Sequence, residues 1–160
     1  MVKNGGDSIM VWGWLTWNGP GQLHCVEGTM DRFKYCSILE QFLLGTLSDY
    51  NISPSSIIFV HDRDPKHKVA FTQGWLCNHK ICVLPWAPSS PDMNIIEHAW
   101  DYVDRRIHAQ VPLPSNTKQL WDALTEEWGK LDKYFVRRLY CSIPSRVQAL
   151  KKAKGGYTKY

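Results

Sequence analysis

The chain has 160 residues, and its composition, 44% hydrophobic and 21% charged, is typical of a globular domain with a sizeable core. No apolar run is long enough to cross a bilayer and Met1 is not followed by a secretory apolar segment, so we expect neither a membrane nor a secreted protein. The net charge of +4 is mild, but it is not spread evenly along the chain.

The first part of the chain is predicted to form a β-hairpin followed by a helix. Residues 8–17 are rich in β-formers and are apolar on both faces, which is typical of a strand inside a covered sheet. The N-G-P-G turn at 18–21 and the strand pattern at 22–27 complete the hairpin. From Asp31 the apolar residues recur at helical spacing, so we expect a helix over 31–48.

The middle of the chain alternates between strand and helix patterns. We expect a short apolar strand at 55–62, a helix at 66–80, a buried strand at 81–86 and a loop at 87–94. This order predicts a mixed α/β fold with helices on both faces of a sheet.

The last part of the chain is predicted to be helical. Asn94 is placed to cap a helix whose apolar stripe is Ile96, Trp100, Val103 and Ile107. A further helix is expected over about 117–131, and the tail is expected to form two helical pieces around Pro144.

The basic residues are concentrated in this tail. Residues 133–160 contain eight Lys or Arg and no Asp or Glu, whereas residues 1–132 contain 11 basic and 15 acidic residues. An acidic body with a basic tail is a common layout for nucleic-acid contact. A solvated helix face near a terminus gives the same pattern, so charge alone leaves both interpretations open.

Two carboxylates are candidates for a metal site. Asp62 ends a predicted strand, and Glu97 lies in the first turn of a predicted helix, one strand and one loop later. In α/β sheets the strand ends and the loops after them gather at one edge, and oxygen ligands there suit Mg²⁺. The same residues also serve structural roles, because Asp caps turns and Glu favours helix N-termini. The pattern alone does not decide between the two.

The cysteines favour neither a disulfide framework nor zinc. The five cysteines are odd in number and form no C-x-x-C pair, which indicates reduced thiols in a cytosolic or nuclear setting. Cys77, His79 and Cys82 lie close in sequence, but their spacing matches no common zinc module and a fourth ligand is not evident.

Five stretches in order resemble the catalytic domain of Tc/mariner-superfamily transposases, the DDE/D integrase-like group. The spacing of the two acids adds to the resemblance, since 34 residues separate Asp62 from Glu97, as in the D-34-E branch. Ile95 replaces the proline of the family's pattern, and Arg63 replaces the usual Asn beside the second acid. The five stretches are VKNGGDSIMVWGWLTWNGPGQL, EGTMDRFKYCSILEQFL, HDRDPKH, LPWAPSSPDMNIIEHAW and ALKKAKGGYTKY.

The resemblance implies a ribonuclease-H-like fold, with residues 1–131 forming most of the domain and residues 132–160 a basic helical tail of it. It also implies two Mg²⁺ or Mn²⁺ ions held by three carboxylates, with Asp62 as the second acid and Glu97 as the third. Such paired ions activate the attacking oxygen and stabilise the leaving oxygen during DNA cleavage and strand transfer. DNA is the implied partner, and the nucleus is the implied location.

The family's first acid lies on a central strand that precedes the VKNGG region, and Met1 stands directly before that region. We therefore expect no DNA cleavage by this chain alone, and unpaired strand edges that favour poor solubility or oligomers.

The alternative function is that of a non-enzymatic remnant that binds DNA or forms oligomers with itself or with full-length transposase. The candidate DNA-contacting residues are Arg137, Arg138, Arg146, Lys151, Lys152 and Lys154.

Overall fold

The computed structural model describes residues 2–4, 7–61, 64, 67, 69–85 and 93–153. The chain divides into two compact units. The first unit is Met1–Cys25 together with Ser90–Tyr160, and the second unit is Val26–Ser89. Among the described helices, none is both long and apolar enough to span a membrane.

The described chain contains strands first, alternating helices and strands in the middle and helices at the end, and this mixture confirms the α/β prediction. A π-helical turn spans Leu39–Leu43, and a 3₁₀ turn spans Pro54–Ser56. The elements are β1 (Val2–Asn4), β2 (Asp7–Trp12), β3 (Leu15–Thr16), β4 (Gly19–Pro20), β5 (His24–Val26), α1 (Arg32–Ile38), α2 (Leu44–Asp49), β6 (Ile58–Phe59), α3 (Ala70–Asn78), β7 (Cys82–Val83), α4 (Ile95–His108), α5 (Thr117–Gly129) and α6 (Lys133–Lys152).

The predicted hairpin is present in the first unit. One sheet has the strand order β1–β2–β5, and β1 pairs antiparallel with β2, with Val2 opposite Ile9. A smaller antiparallel pair, β3–β4, closes the tip, with Leu15 opposite Pro20. The long strand expected over 8–17 is therefore broken at residues 13–14. At Gly13 an added Cβ would lie 2.7 Å from Leu23 and 3.0 Å from Trp100, so a side chain does not fit there.

The apolar stripe predicted on α4 is confirmed. Val103 and Ile107 are fully buried, and Ile96 and Trp100 pack against the same core. Helices α4 and α5 contribute most of this core, which also includes Ile9 of β2. The buried residues are Ile9, Ala99, Val103, Ile107, Leu120, Ala123, Leu124, Trp128 and Leu131.

Gly21, just after β4, lies against two tryptophans. Its N–H donates to Trp14 O at 2.8 Å, and its carbonyl accepts a hydrogen bond from Trp128 Nε1 at 2.8 Å. An added Cβ at Gly21 would lie only 2.1 Å from Trp14 Nε1. The absence of a side chain at residue 21 is therefore what lets the hairpin and α5 meet.

A buried carboxylate links α4 to α5. Glu127 is 3% exposed and accepts hydrogen bonds from Arg106 of α4 and, at 2.7 Å, from Lys130 Nζ. The hydrogen bonds from Lys130 and Arg106 lower the pKa of Glu127, so the carboxylate stays ionised at neutral pH although it is buried.

The prediction of a tail in two pieces is wrong, because α6 runs unbroken through Pro144. A proline inside a helix removes one backbone hydrogen bond and costs about 3 kcal/mol. Residues before and after Pro144 are packed within the first unit. Val136 is fully buried, Arg146 is 2% exposed, and the hydroxyl of Tyr140 donates to Leu15 O at 3.0 Å. This packing keeps both halves of α6 in line.

The expected boundary between residues 131 and 132 stays a prediction.

The second unit is built on the helix predicted over 31–48, which is observed as α1, the π-helical turn and α2. Its buried residues Tyr35, Leu39, Leu43 and Leu47 are spaced by four, and each is at most 1% exposed. In an ideal α-helix this spacing drifts by about 40° per step. The wider π-helical turn at Leu39–Leu43 offsets the drift and keeps all four side chains on one face.

Among the described residues, the paired strands of the second unit are short. β6 and β7 pair in parallel, with Ile58 opposite Cys82 and Phe59 opposite Val83. The beginning of the predicted strand at 55–62 is instead the 3₁₀ turn, because Pro54 suits the first position of a helical turn. Helix α3 follows the extended backbone of Val69, and residues 66 and 68 of the helix predicted over 66–80 lie outside the described residues.

Replacing Gly21 by alanine should destabilise the chain by about 3 kcal/mol, since the new methyl group would overlap the Trp14 ring in a packed core. Thermal and urea unfolding followed by circular dichroism measure the loss. The matched control is Gly129→Ala at the end of α5, where an added Cβ meets no atom within 4 Å. Equal stability of the two variants would contradict the packing described for Gly21.

Candidate metal site and basic helix

Glu97 lies at the exposed start of α4. Its backbone N–H donates to Asn94 O at 3.2 Å, which closes the first turn of the helix. The side chain is exposed, and its carboxylate accepts a hydrogen bond from Asn94 Nδ2 at 3.3 Å. The helix N-terminus favours negative charge at this position, so the exposed carboxylate of Glu97 is a candidate oxygen ligand that faces solvent.

The predicted capping role of Asn94 is confirmed in position but not in bonding. Asn94 is the N-cap residue of α4, with an extended backbone. Its side chain makes no capping hydrogen bond to the helix backbone; instead its amide nitrogen donates to Glu97. Asn94 therefore orients the candidate ligand rather than closing the helix end.

Helix α4 is a rigid base for Glu97. Trp100, one turn further on, stacks on Trp128 of α5 with ring centroids 4.5 Å apart. Val103 and Ile107 continue the same buried face. Because Glu97 projects away from this face, the helix can hold it in place while leaving its carboxylate accessible.

The residue next to Glu97 lies in a partly buried, positively charged setting. Burial lowers the pKa of His98, and the nearby positive charge of Arg146 lowers it further. His98 is therefore neutral at physiological pH, and it adds no positive charge beside Glu97.

Asp62 lies outside the described residues, and so do Arg63 and Lys154. Whether Asp62 and Glu97 come together is not tested, and their assignment as a pair stays a prediction. The structure does describe what precedes Asp62: β6 ends at Phe59, and the side chain of His61 is bonded to Tyr35.

The hydrogen bond between Tyr35 and His61 was not predicted from the sequence, because the two residues lie 26 positions apart. The one signal in the sequence was the position of His61 directly before Asp62.

No group of three or more His, Cys, Asp or Glu side chains among the described residues is arranged to hold a metal ion. In particular, His79 stacks on Trp75 with centroids 4.0 Å apart, and its Nε2 lies 3.4 Å from Glu40 Oε2. Cys77 and Cys82 are exposed free thiols.

The basic residues of α6 are not equivalent. Arg138, Lys151 and Lys152 are exposed, and Arg137 is partly exposed, with its guanidinium 5.1 Å from the Trp17 ring centroid. These residues can face a polyanion.

Arg146 differs from the others because it is buried and its Nε donates to Ser142 Oγ at 2.8 Å. Burial sets it apart from Arg137, Arg138, Lys151 and Lys152. Its assignment to DNA contact, like theirs, stays a prediction.

No protein-family model matches the chain. The Tcb1 transposase of Caenorhabditis briggsae is 36% identical over 99% of the chain, and the Tc1 transposase of Caenorhabditis elegans is 34% identical over the same share. The chain is a homologue of the Tc1/mariner transposases. It spans 57% of the length of each of these two curated relatives.

The fold of this Tc1/mariner homologue matches a solved transposase domain. The Mos1 transposase catalytic domain, in a structure with raltegravir and Mg, superposes with a TM-score of 0.83. The match covers 94% of this chain and 77% of that domain, at 22% identity. This likeness confirms the predicted ribonuclease-H-like α/β fold.

Proposed function

We propose that the chain is part of the catalytic domain of a DDE-type DNA transposase, which cleaves phosphodiester bonds and transfers strands. The observation that carries this proposal is the 36% identity to a transposase over 99% of the chain. The catalytic-domain fold and the 34-residue interval between Asp62 and Glu97 support it further.

We assign Asp62 and Glu97 as two of the carboxylates that hold Mg²⁺ or Mn²⁺. The exposed Glu97 carboxylate fits this role, because hard divalent cations prefer oxygen ligands. When bound, such ions supply Lewis-acid stabilisation of charge at the phosphorus centre. Within this chain, Asn94 fixes the direction of the Glu97 carboxylate, and α4 keeps it at the surface.

Mn²⁺ binding tests the two assigned ligands. We expect weak binding by the chain, detectable by electron paramagnetic resonance, and a loss of about tenfold or more in affinity in Asp62→Ala and in Glu97→Gln, because each change removes a charged oxygen ligand. The matched control is Glu126→Gln, since Glu126 is an exposed glutamate of α5 paired with Lys130. Equal binding by all four proteins would contradict the assignment.

We further propose that these 160 residues do not cleave DNA by themselves. The paired-ion chemistry implied by the family uses three carboxylates, and the resemblance assigns two of them, Asp62 and Glu97, within these residues.

A nicking assay on supercoiled plasmid with Mg²⁺ or Mn²⁺ tests this inactivity, and we expect no conversion above the Asp62→Ala background. Metal-dependent nicking that vanishes in Asp62→Ala would overturn the proposal, whereas nicking that persists in that variant would identify a contaminating nuclease.

A second function, DNA contact without catalysis, is favoured by one observation. Helix α6 carries no acidic residue, and it exposes Arg138, Lys151 and Lys152. We propose that these residues, with Arg137, bind the phosphate backbone without reading sequence. A nuclear location and assembly with another copy or with full-length transposase belong to the same proposal.

Salt titration of duplex binding tests the role of α6. The triple variant Arg138→Gln, Lys151→Gln, Lys152→Gln should bind less tightly, with a salt slope reduced by about 3, because each neutralised phosphate contributes about 0.9. Fluorescence anisotropy of a labelled duplex, recorded between low and moderate salt, measures the binding affinity and its salt slope.

The control for this titration is a triple variant of the same composition at exposed positions elsewhere. Arg32, Lys80 and Lys118 are exposed and lie on other elements. Changing them to Gln removes the same charge, so an equal loss of binding would show that net charge alone, and not α6, attracts DNA.

A further inference from the structure

A pocket of about 210 Å³ opens in the first unit, where the end of α5 and the start of α6 lie against α4. Pockets for drug-sized ligands measure about 300–1,000 Å³, so this one has the size for a single small ring. Three aromatic side chains line it, namely Tyr102, Tyr134 and Phe135. Tyr102 and Phe135 pack on each other, with ring centroids 4.7 Å apart, whereas Tyr134 is 66% exposed. The ring of Tyr134 is therefore available to stack on a ligand.

Charged side chains of both signs also line the pocket. The ammonium of Lys130 is already paired with the Glu127 carboxylate at 2.7 Å, and Asp132 Oδ1 accepts a hydrogen bond from the Phe135 N–H at 2.7 Å. The side chain of Arg138 is exposed, and no ion pair joins it to another residue in the described parts of the chain. Arg138 is therefore available to an anionic group at the pocket.

This combination of groups indicates the class of ligand. The Asp132 carboxylate in the lining disfavours a phosphate within the pocket, because like charges repel. A neutral ring can lie there against the aromatic side chains, while an attached phosphate stays outside beside Arg138. A nucleobase with its backbone phosphates has this division, since an uncharged planar part is joined to charged groups. We propose that the pocket takes one unpaired base of single-stranded DNA, stacked on Tyr134.

The residues around Tyr134 on α6 support a single strand as the ligand. Lys133, Arg137 and Arg138 lie within four positions of Tyr134, and Lys133 Nζ is 5.3 Å from its ring centroid. Surfaces that bind single strands combine cations that contact the phosphates with rings that stack on the bases. In a duplex the base faces are covered within the stack, so the pocket adds nothing to duplex binding. This inference rests on the proposed contact of α6 with DNA.

Two single strands of about twelve nucleotides test the pocket, a length within the site sizes of single-strand-binding domains. One strand is oligothymidine, and the other has the same phosphates but no bases. We expect the 160-residue chain to bind the thymidine strand about tenfold more tightly at equal salt, as stacking of one base would give. Tyr134→Ala should remove this preference, and fluorescence anisotropy of labelled strands measures both affinities. Equal binding of the two strands by the wild-type chain would overturn the inference.

Two further variants show whether the ring and its place are what matter. Tyr134→Phe keeps the ring and should keep the preference for the thymidine strand. Phe33→Ala is the matched control, because Phe33 of α1 is 54% exposed and has the Arg32 guanidinium 4.7 Å from its ring centroid, yet it does not line the pocket. If Phe33→Ala also lost the preference, any exposed ring beside a cation would suffice, and the assignment to the pocket would be overturned.

A measurement on the wild-type chain keeps the test decisive where Tyr134→Ala lowers stability. The thymidine strand should shift the ring ¹H–¹³C resonances of Tyr134 and Tyr102, which line the pocket from α6 and α4. The strand without bases should leave the Tyr102 resonances unchanged. Binding of the thymidine strand without a shift at Tyr134 would overturn the inference.

The duplex titration and the two single strands separate this inference from the proposed function. If the triple variant Arg138→Gln, Lys151→Gln, Lys152→Gln binds duplex as tightly as the wild-type chain, the proposed phosphate contact of α6 fails, and the comparison of the two strands alone decides on the pocket. If the triple variant binds duplex less tightly but Tyr134→Ala keeps the preference for the thymidine strand, the phosphate contact stands and the pocket is overturned.

Discussion

The packing of the hairpin against α5 in the first unit depends on Gly21, a residue without a side chain. Gly21 lies directly against the indole of Trp14 and bonds through its carbonyl to the indole of Trp128. Trp128 in turn stacks on Trp100, which lies one turn after Glu97 on α4. The hairpin, α5 and the exposed carboxylate are thus connected through a series of aromatic contacts. We therefore expect a displacement at Gly21 to reach the helix that carries Glu97, because a close-packed interior transmits a displacement rather than absorbing it.

Both candidate ligands are supported by the same kind of structure, within separate units. Glu97 begins a helix whose opposite face is buried, and a neighbouring amide fixes its direction. Asp62 follows a strand directly after a histidine that is hydrogen-bonded to Tyr35 and stacked on a second histidine. In each case a residue near the acid in sequence makes defined contacts of its own. Metal sites require such support, since a misplaced ligand binds weakly even when its chemistry is correct.

The sequence predicted those features that depend on local periodicity. The stripe on α4 is clear because Val103 and Ile107 repeat at helical spacing and face one core, and the turn at 18–21 is clear from its Asn, Gly and Pro. Among the described residues of the strands predicted at 55–62 and 81–86, only Ile58–Phe59 and Cys82–Val83 pair, since an apolar run does not indicate how many of its residues pair with a neighbouring strand. The unbroken helix at Pro144 was not predicted, for a related reason. The packing on either side of this proline comes from residues distant in sequence, which the type of the residue does not indicate. For the candidate site, the acids and their spacing were readable, whereas the amide of Asn94 and the hydroxyl of Tyr35 became evident only from the contacts.

The π-helical turn in the second unit has a consequence for how the chain can change in length. Leu39–Leu43 holds about one residue more than an α-helix needs to bring Tyr35 and Leu47 onto the same face. A deletion of one residue there would restore regular α geometry and leave Tyr35 within about 20° of the direction of Leu47, because eleven residues make about three turns. An insertion of one further residue would instead rotate Tyr35 by about 100° relative to Leu47 and take its hydroxyl away from His61. The turn is therefore the place in this helix where the chain can lose a residue without losing the contact at the beginning of the helix.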